Sequence, residues 1–160
     1  MNLAEQLKVK FLDLVTEILD QQGQPVAVVK REGLIKVASF LKNDPEFKID
    51  LLMDLFGVDY LFWEEKALRF EVVYNLYSTT KQHRIFLKVA VPEKDPTIDS
   101  VTSLWPAADW YEREAWDMFG VSFKGHPNLK RILMYEEFKG HALRKDYTYN
   151  KRQPLIGPVN

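Results

Sequence analysis

Residues 69–78 read RFEVVYNLYS and residues 84–91 read RIFLKVAV, and these two runs decide the fold class. In the first, Phe70, Val72, Tyr74 and Leu76 fall on one face of an extended chain, with Glu71 and Asn75 on the other. In the second, Ile85, Leu87 and Val89 oppose Phe86, Lys88 and Ala90. The short polar link at residues 79–83 reads as a hairpin connection. Strands joined this closely leave no room for a crossover helix, which argues against a doubly wound parallel sheet.

Working outward from the hairpin, Leu3, Leu7, Phe11, Leu14, Val15, Ile18 and Leu19 recur at spacings of three and four. The spacing predicts one amphipathic helix over residues 3–19, with Gly23 as its C-terminal stop. PVAVV at residues 25–29 is a β-branched run with Pro at its edge and predicts a strand. Leu34, Ile35, Ala38, Phe40 and Leu41 predict a second helix, ended by Asn43-Asp44-Pro45. Phe47, Ile49, Leu51 and Met53 then alternate before Gly57, a third extended run. Downstream, Ser100 and Ser103 are possible N-caps. Ala107, Trp110, Tyr111, Ala115 and Met118 follow at helical spacing, and Gly120 stands where a C-cap belongs. The sum is an α+β fold, a small mostly antiparallel sheet packed with helices. Periodicity stops after Gly120, so the expected organisation is an α+β body at 1–120 and an extended basic C-terminal arm at 121–160.

The 160-residue chain has no cysteine, which excludes disulfides, thiolate-held Fe–S clusters and a thiol nucleophile within it. Charged residues interrupt the apolar N-terminus, so no signal peptide is expected, and no apolar stretch long enough for a membrane span is visible. Net charge is −1, unevenly spread. Residues 121–160 hold eight Lys/Arg against three Asp/Glu, leaving −6 on residues 1–120. A basic tail on an acidic body points to an acidic contact for the tail, or to a solvated end.

No nucleotide, metalloprotease or hydrolase motif is present. Glu112, Glu114 and Asp117 are a dense acidic patch. On a helix, however, Glu112 and Glu114 lie about 200° apart and cannot act as a pair. Asp117 shares a face with Arg113 and Glu114, so a salt-bridged helix is the simpler reading. His83, His126 and His141 match no zinc spacing and fit packing or hydrogen-bonding roles, His83 on the hairpin edge. Lys130, Arg131, Arg144 and Lys145 could meet phosphates, but the aromatics are not interleaved with them. A basic-tailed nucleic-acid-binding protein is thus the runner-up of another class, and no nucleic-acid partner is expected.

Residues 110–147, WYEREAWDMFGVSFKGHPNLKRILMYEEFKGHALRKDY, carry an ordered motif. The triplet Glu112-Arg113-Glu114 precedes Asp117, Met118 and Phe119. His126 follows after a six-residue gap, then Lys130 leads into Ile132 and Leu133. A box of Leu143, Arg144, Lys145, Asp146 and Tyr147 closes it, preceded by Gly140-His141-Ala142 where relatives have Gly-His-Pro. The motif resembles the signature of the C subunit of respiratory NADH:quinone oxidoreductase, complex I, in its stand-alone form.

That resemblance implies a subunit with no active site of its own in the peripheral arm of a proton-pumping translocase that passes electrons from NADH to quinone. Its partners would be chiefly the D subunit, which shapes the quinone site, and the I subunit, which carries Fe–S clusters. FMN and Fe–S clusters would sit in other subunits, with no cofactor or metal in this chain. The place implied is the cytoplasmic face of a bacterial cell membrane, or the matrix side in a mitochondrion, with membrane association through the complex. Related ferredoxin-, deazaflavin- and hydrogenase-linked complexes carry similar subunits. The resemblance makes Glu112, Arg113, Glu114, Asp117, Phe119, Gly120, His126, Arg131, His141, Leu143, Arg144, Lys145, Asp146 and Tyr147 signature or partner-interface residues. Arg131, Arg144 and Lys145 are expected to meet carboxylates, of a partner or of the E-R-E helix. Trp105, Trp110, Tyr111, Trp116 and Phe119 are expected to form the seam between that helix and the sheet.

Overall fold

The computed structural model describes residues 2–150 and 152–154. The end of the predicted arm, residues 155–160, lies outside them. Helix α1 is Leu3–Lys10, followed by β1 (Val15–Gln21), β2 (Gln24–Val29) and α2 (Leu34–Asn43). Strands β3 (Leu51–Asp59), β4 (Phe70–Ser78), β5 (His83–Val91) and β6 (Thr97–Asp99) come next, then α3 (Ala108–Phe119) and β7 (Ser122–Lys124). The main sheet has the order β1-β2-β5-β4-β3, and β6 pairs with β7 in a second, two-stranded sheet. Only β2 and β5 run parallel within the main sheet; its other pairings are antiparallel.

The central hairpin is as predicted. Tyr74 faces Leu87 and Leu76 faces Ile85 in the β4–β5 register. Phe70, Val72, Tyr74 and Leu76 join Ile85, Leu87, Val89 and Val91 in one buried cluster. Against that face α1 contributes Ala4 and Leu7, α2 contributes Leu34, Val37, Ala38 and Leu41, and α3 contributes Ala108 and Ala115. Each large aliphatic side chain moved fully out of water there adds roughly 1.5–3 kcal/mol. The three helices thus cover the same side of the sheet, and α3 lies over the edge strand β3.

The N-terminal prediction is corrected. The helix ends at Lys10, and the second half of the predicted 3–19 helix is strand β1. Gly23 is a hairpin residue instead of a helix stop. Gln21 faces Gln24, and the two residues between them, Gln22 and Gly23, have φ of 55° and 80°. Two positive φ angles in a two-residue loop match the right-handed twist of the flanking strands, and Gly supplies one without strain. Asp20 Oδ1 accepts the Gly23 N–H at 2.7 Å and fixes the turn. The β-branched residues Val15, Thr16 and Ile18 favour the strand once β2 offers a partner. The third extended run also differs. Its strand starts at Leu51 and passes through Gly57 to Asp59.

Gly57 is where α3 meets the sheet. A Cβ there would lie 2.7 Å from Phe119 Cδ2, so the bare backbone lets the ring settle on β3. Tyr111 adds a hydrogen bond from its hydroxyl to the Met53 carbonyl, 3.1 Å away. Trp105 is buried, and Tyr111, Trp116 and Phe119 are partly buried against the core. Trp110 is 67% exposed and does not belong to the seam. It sits on the solvent side of α3, because one residue before Tyr111 is about 100° around the helix. Gly57→Ala should push Phe119 off β3 and destabilise the chain by about 1–3 kcal/mol. Denaturant unfolding measures this, and an unchanged midpoint would show that Phe119 repacks freely.

Candidate functional site

The signature residues converge at the C-terminal end of α3, where the following segment folds back on the helix. Asp117 is wholly buried in the last turn of the helix. Its Oδ2 accepts three consecutive backbone N–H groups, Ile132 at 3.0 Å, Leu133 at 2.9 Å and Met134 at 2.9 Å. Its Oδ1 pairs with the Arg131 guanidinium. Three successive amides curled around one oxygen form a nest, a ready anion site. Burial pushes the Asp117 pKa up, but the donors from Met134, Arg131, Ile132 and Leu133 outweigh it and leave the carboxyl below its ordinary range.

Arg131 does more than neutralise Asp117. Its second terminal nitrogen donates to the carbonyls of Phe138 at 2.6 Å and Gly140 at 3.1 Å. The guanidinium also lies 5.7 Å from the Trp116 ring and 5.5 Å from the Phe138 ring. Arg113, expected to pair with Asp117, instead donates to the Lys130 and Arg131 carbonyls at 3.2 and 2.9 Å. It holds the stretch of chain that delivers Arg131. Glu114 is exposed, and Glu112 is buried, as their angular separation requires.

The last carbonyls of an α-helix lack intrahelical partners and carry the negative end of its dipole. Here the box at residues 143–147 and His141 supply the donors. His141 Nδ1 donates to the Asp117 carbonyl at 3.0 Å, the Leu143 N–H to Met118 at 3.1 Å, and Arg144 Nε to Phe119 at 2.6 Å. Burial, then the positive charges of Arg144 and Arg131, lower the His141 pKa against the pull of Asp117. Gly120 ends the helix with φ 76°, its N–H on the Trp116 carbonyl. A Cβ on it would meet Arg144 Nη2 at 2.4 Å and His141 Nε2 at 2.6 Å. The glycine therefore serves both the left-handed cap and the close approach of two nitrogen-bearing side chains.

Beyond Arg144 the same box ties down to the sheet. Asp59 at the end of β3 holds Arg69 in a two-point pair, with Nε 3.0 Å from Oδ1 and Nη2 2.9 Å from Oδ2. Asp146 takes the other side of the same guanidinium at 2.6 and 3.0 Å, and Glu93 adds a third carboxylate. The Lys145 backbone N–H donates to Asp59 Oδ2 at 2.9 Å. Arg69 and Arg144 lie over the Phe70 ring at 4.8 and 5.0 Å. Tyr147 stacks on Phe138 with centroids 5.9 Å apart. The three-carboxylate setting raises the Arg69 pKa, and Asp146 is lowered chiefly by Arg69.

Of the three basic residues expected to meet carboxylates, Arg131 alone does so through its side chain among the described residues of this chain. Arg144 takes a carbonyl and an aromatic face, because Asp146 is already held by Arg69. Burial and the neighbouring Arg69 lower the Arg144 pKa. Asp59, Arg69, Phe70 and Phe138 were missed by sequence reasoning, since residues 59 and 145 meet only in three dimensions.

Each histidine is engaged with backbone. His83 Nε2 contacts the Phe47 carbonyl at 2.7 Å. His126 Nδ1 accepts the Asn128 N–H at 3.0 Å, which leaves Nε2 protonated to donate to the Asp109 carbonyl at 3.1 Å. Asp109 Oδ1 is 3.2 Å from the same nitrogen but has no hydrogen bond of its own, so the carbonyl is the true acceptor. No cluster of three or more His, Asp or Glu suited to a metal occurs among the described residues.

Fold and site define an α+β chain whose signature motif fastens its own C-terminal segment to α3 and the sheet. Residues 27–153 match the family described as the respiratory-chain NADH dehydrogenase 30 Kd subunit, and the chain belongs to that family. It is 47% identical over 142 residues to the C subunit of NADH-quinone oxidoreductase from Roseiflexus sp. (strain RS-1), covering 89% of this chain and 80% of the relative. The solved trypsin-resistant fragment of Nqo5 shares 35% identity at a TM-score of 0.69, covering 78% of this chain and 95% of that one. A chain of the membrane-bound sulfane sulfur reductase, an archaeal respiratory membrane complex, superposes with a TM-score of 0.73 at 20% identity. It covers 91% of this chain and 84% of that one, a likeness of fold alone.

Asp117→Asn places an amide donor against the nest and leaves Arg131 without its charge partner, a change expected to cost about 3–5 kcal/mol. Amide exchange should quicken first at residues 131–147; loss spread evenly over the sheet would contradict the assignment. Asp59, Asp117 and Asp146 all titrate below the unfolded value of about 3.9. Their contribution is therefore complete above that pH and lost as pH falls through the depressed native values. Protection of the Ile132, Leu133 and Met134 amides should hold down to about pH 4 and fail below it. Failure already at about pH 6 would overturn this linkage.

Proposed function

We propose that this chain is a non-catalytic structural subunit of the peripheral arm of a proton-pumping NADH:quinone oxidoreductase. It docks against the D subunit at the quinone site and against the Fe–S-bearing I subunit. The observation that carries the reading is the internal use of the signature. Asp117, Arg113, Arg131, His141, Arg144 and Asp146 bind this chain's own backbone and side chains, which leaves none of them poised as a free acid, base or nucleophile.

Alongside the exposed charges Glu136, Glu137, Lys139 and Lys145 of the fastened segment, the surface displays large apolar side chains. Trp110, Leu133 and Leu143 are 67%, 60% and 53% exposed, and Phe62 and Trp63 protrude from the loop between β3 and β4. Large exposed apolar side chains beside an ordered polar framework are what a partner-covered surface needs. The absence of cysteine leaves no thiolate to hold an Fe–S cluster, so those clusters belong to other subunits, and in this reading so does the FMN. No helix among the described residues is long and apolar enough to cross a membrane. Attachment is peripheral, through the complex, on the cytoplasmic side of a bacterial membrane. Identity of 47% with a relative named for NADH and quinone favours the NADH-linked enzyme over ferredoxin-, deazaflavin- or hydrogenase-linked relatives.

Affinity capture of the tagged chain from native membranes should recover the D and I subunits with the NADH-binding flavoprotein. Recovery without that flavoprotein would move the chain to a relative with another electron donor. Capture of the chain alone would refute the docking. Trp110→Ala with Leu143→Ala should reduce the recovery of the D subunit at least about tenfold, while free-chain stability moves by no more than about 0.5 kcal/mol per site.

A further inference from the structure

Beneath the N-terminal half of α3 lies a buried acid that the fastening does not use. Glu112 is fully buried, and its Oε1 accepts the Val101 N–H at 2.7 Å. Its Oε2 has no hydrogen-bond partner among the described residues. On β4, Tyr74 is 1% exposed and its hydroxyl is equally unpartnered. Glu112 shares the buried face of α3 with Ala108 and Ala115, and those two alanines and Tyr74 belong to one core cluster, so both groups lie in the layer between α3 and the sheet. A third buried donor without a partner, Trp105 Nε1, belongs to the residue one turn beyond Val101.

We propose that Glu112 and Tyr74 form a buried proton site, with an un-ionised Glu112 carboxyl linked to the Tyr74 hydroxyl through one internal water molecule. The chemistry of the surroundings asks for both parts. A buried polar atom left unpaired is costly, and polar groups too far apart for a direct bond are commonly joined by a water with two to four partners. A buried carboxylate needs a cation or several donors, and no ion pair reaches Glu112 among the described residues. The groups facing the pair are few. Asp109 lies on the same helix, Asp99 and Ser100 come from β6 and the residue after it, and Lys42 of α2 donates its ammonium to the Leu104 carbonyl. Both carboxylates oppose a negative charge on the pair.

Burial pushes the Glu112 pKa up to about 7, with the Val101 N–H and the nearby Ser100 hydroxyl opposing and Asp109 adding to the rise. The unfolded value is about 4.3. Between those two values the folded chain holds a proton that the unfolded chain has released. The resulting stabilisation is complete below the unfolded pKa and is lost as pH rises through about 7. Above that pH a bare carboxylate sits under α3, and the seating of the helix on Val101 weakens. This device operates whether or not the chain is assembled.

The test is a ¹³C titration of the Glu112 side-chain carboxyl by NMR in the full chain, with Glu112→Gln identifying the resonance. The midpoint should lie near 7, and Tyr74→Phe should move it upward by at least about half a unit, because the ionised form loses a water-borne donor. A midpoint in the ordinary range of about 4–5 would overturn the proposal. So would a Tyr74→Phe midpoint equal to that of the unaltered chain. The titration of the unaltered chain stands alone if either variant fails to fold. A high-resolution crystal structure should show a water within hydrogen-bonding distance of Glu112 Oε2 and Tyr74 Oη, and a direct contact between those atoms would overturn the bridged arrangement.

Discussion

The burial of one carboxylate governs this molecule. Asp117 sits near the negative end of a helix dipole and out of water, where an acidic side chain is doubly disfavoured. It is tolerable only because Arg131 and three consecutive amides converge on it. Those four donors all come from residues 131–134, so the carboxylate dictates where the chain beyond β7 must run. Remove the charge and the amides of residues 132–134 lose their anionic acceptor, leaving the Arg113 and Arg131 contacts with carbonyls to hold the turn.

The rest of the segment follows from the same end of α3. The terminal carbonyls need donors, and His141, Leu143 and Arg144 arrive in order to provide them. Gly120 makes the approach sterically possible. The second anchor, Arg69 between Asp59, Asp146 and Glu93, then fixes the segment to the sheet rather than to the helix alone. A surplus of positive charge in residues 121–160 and of negative charge before them is thus partly matched within the chain. Planar guanidinium groups suit this work, since each can serve a carboxylate, a carbonyl and an aromatic face together. The surface left over at Trp110, Leu133 and Leu143 is apolar, which is the property a docking scaffold requires.

Local periodicity carried what it could. The β4–β5 hairpin and the helix ending at Gly120 were readable because their partners are near in sequence and their apolar spacing is clean. The N-terminal stretch misled for a physical reason. Leucines and valines spaced at three and four fit a helix through Leu19, but pairing of β1 with β2 across Gln22-Gly23 overrides that preference. The motif at residues 110–147 pointed to the family. It could not show that Arg113 serves carbonyls, that Arg144 stacks on Phe70, or that Asp59 waits 86 residues away for Lys145. Such partners are chosen by three-dimensional proximity, and spacing along the chain holds no record of them.

The central claim is that the signature builds and presents a surface and performs no chemistry. Turnover per assembled complex, measured as NADH:quinone activity divided by the amount of intact complex, tests it most directly when Arg131 or Asp117 is replaced in the native enzyme. The account predicts less complex, with each surviving complex turning over within about twofold of the unaltered enzyme, a barrier change of about 0.4 kcal/mol. Normal amounts of intact complex with turnover reduced about a hundredfold, a barrier change of about 2.7 kcal/mol, would contradict it.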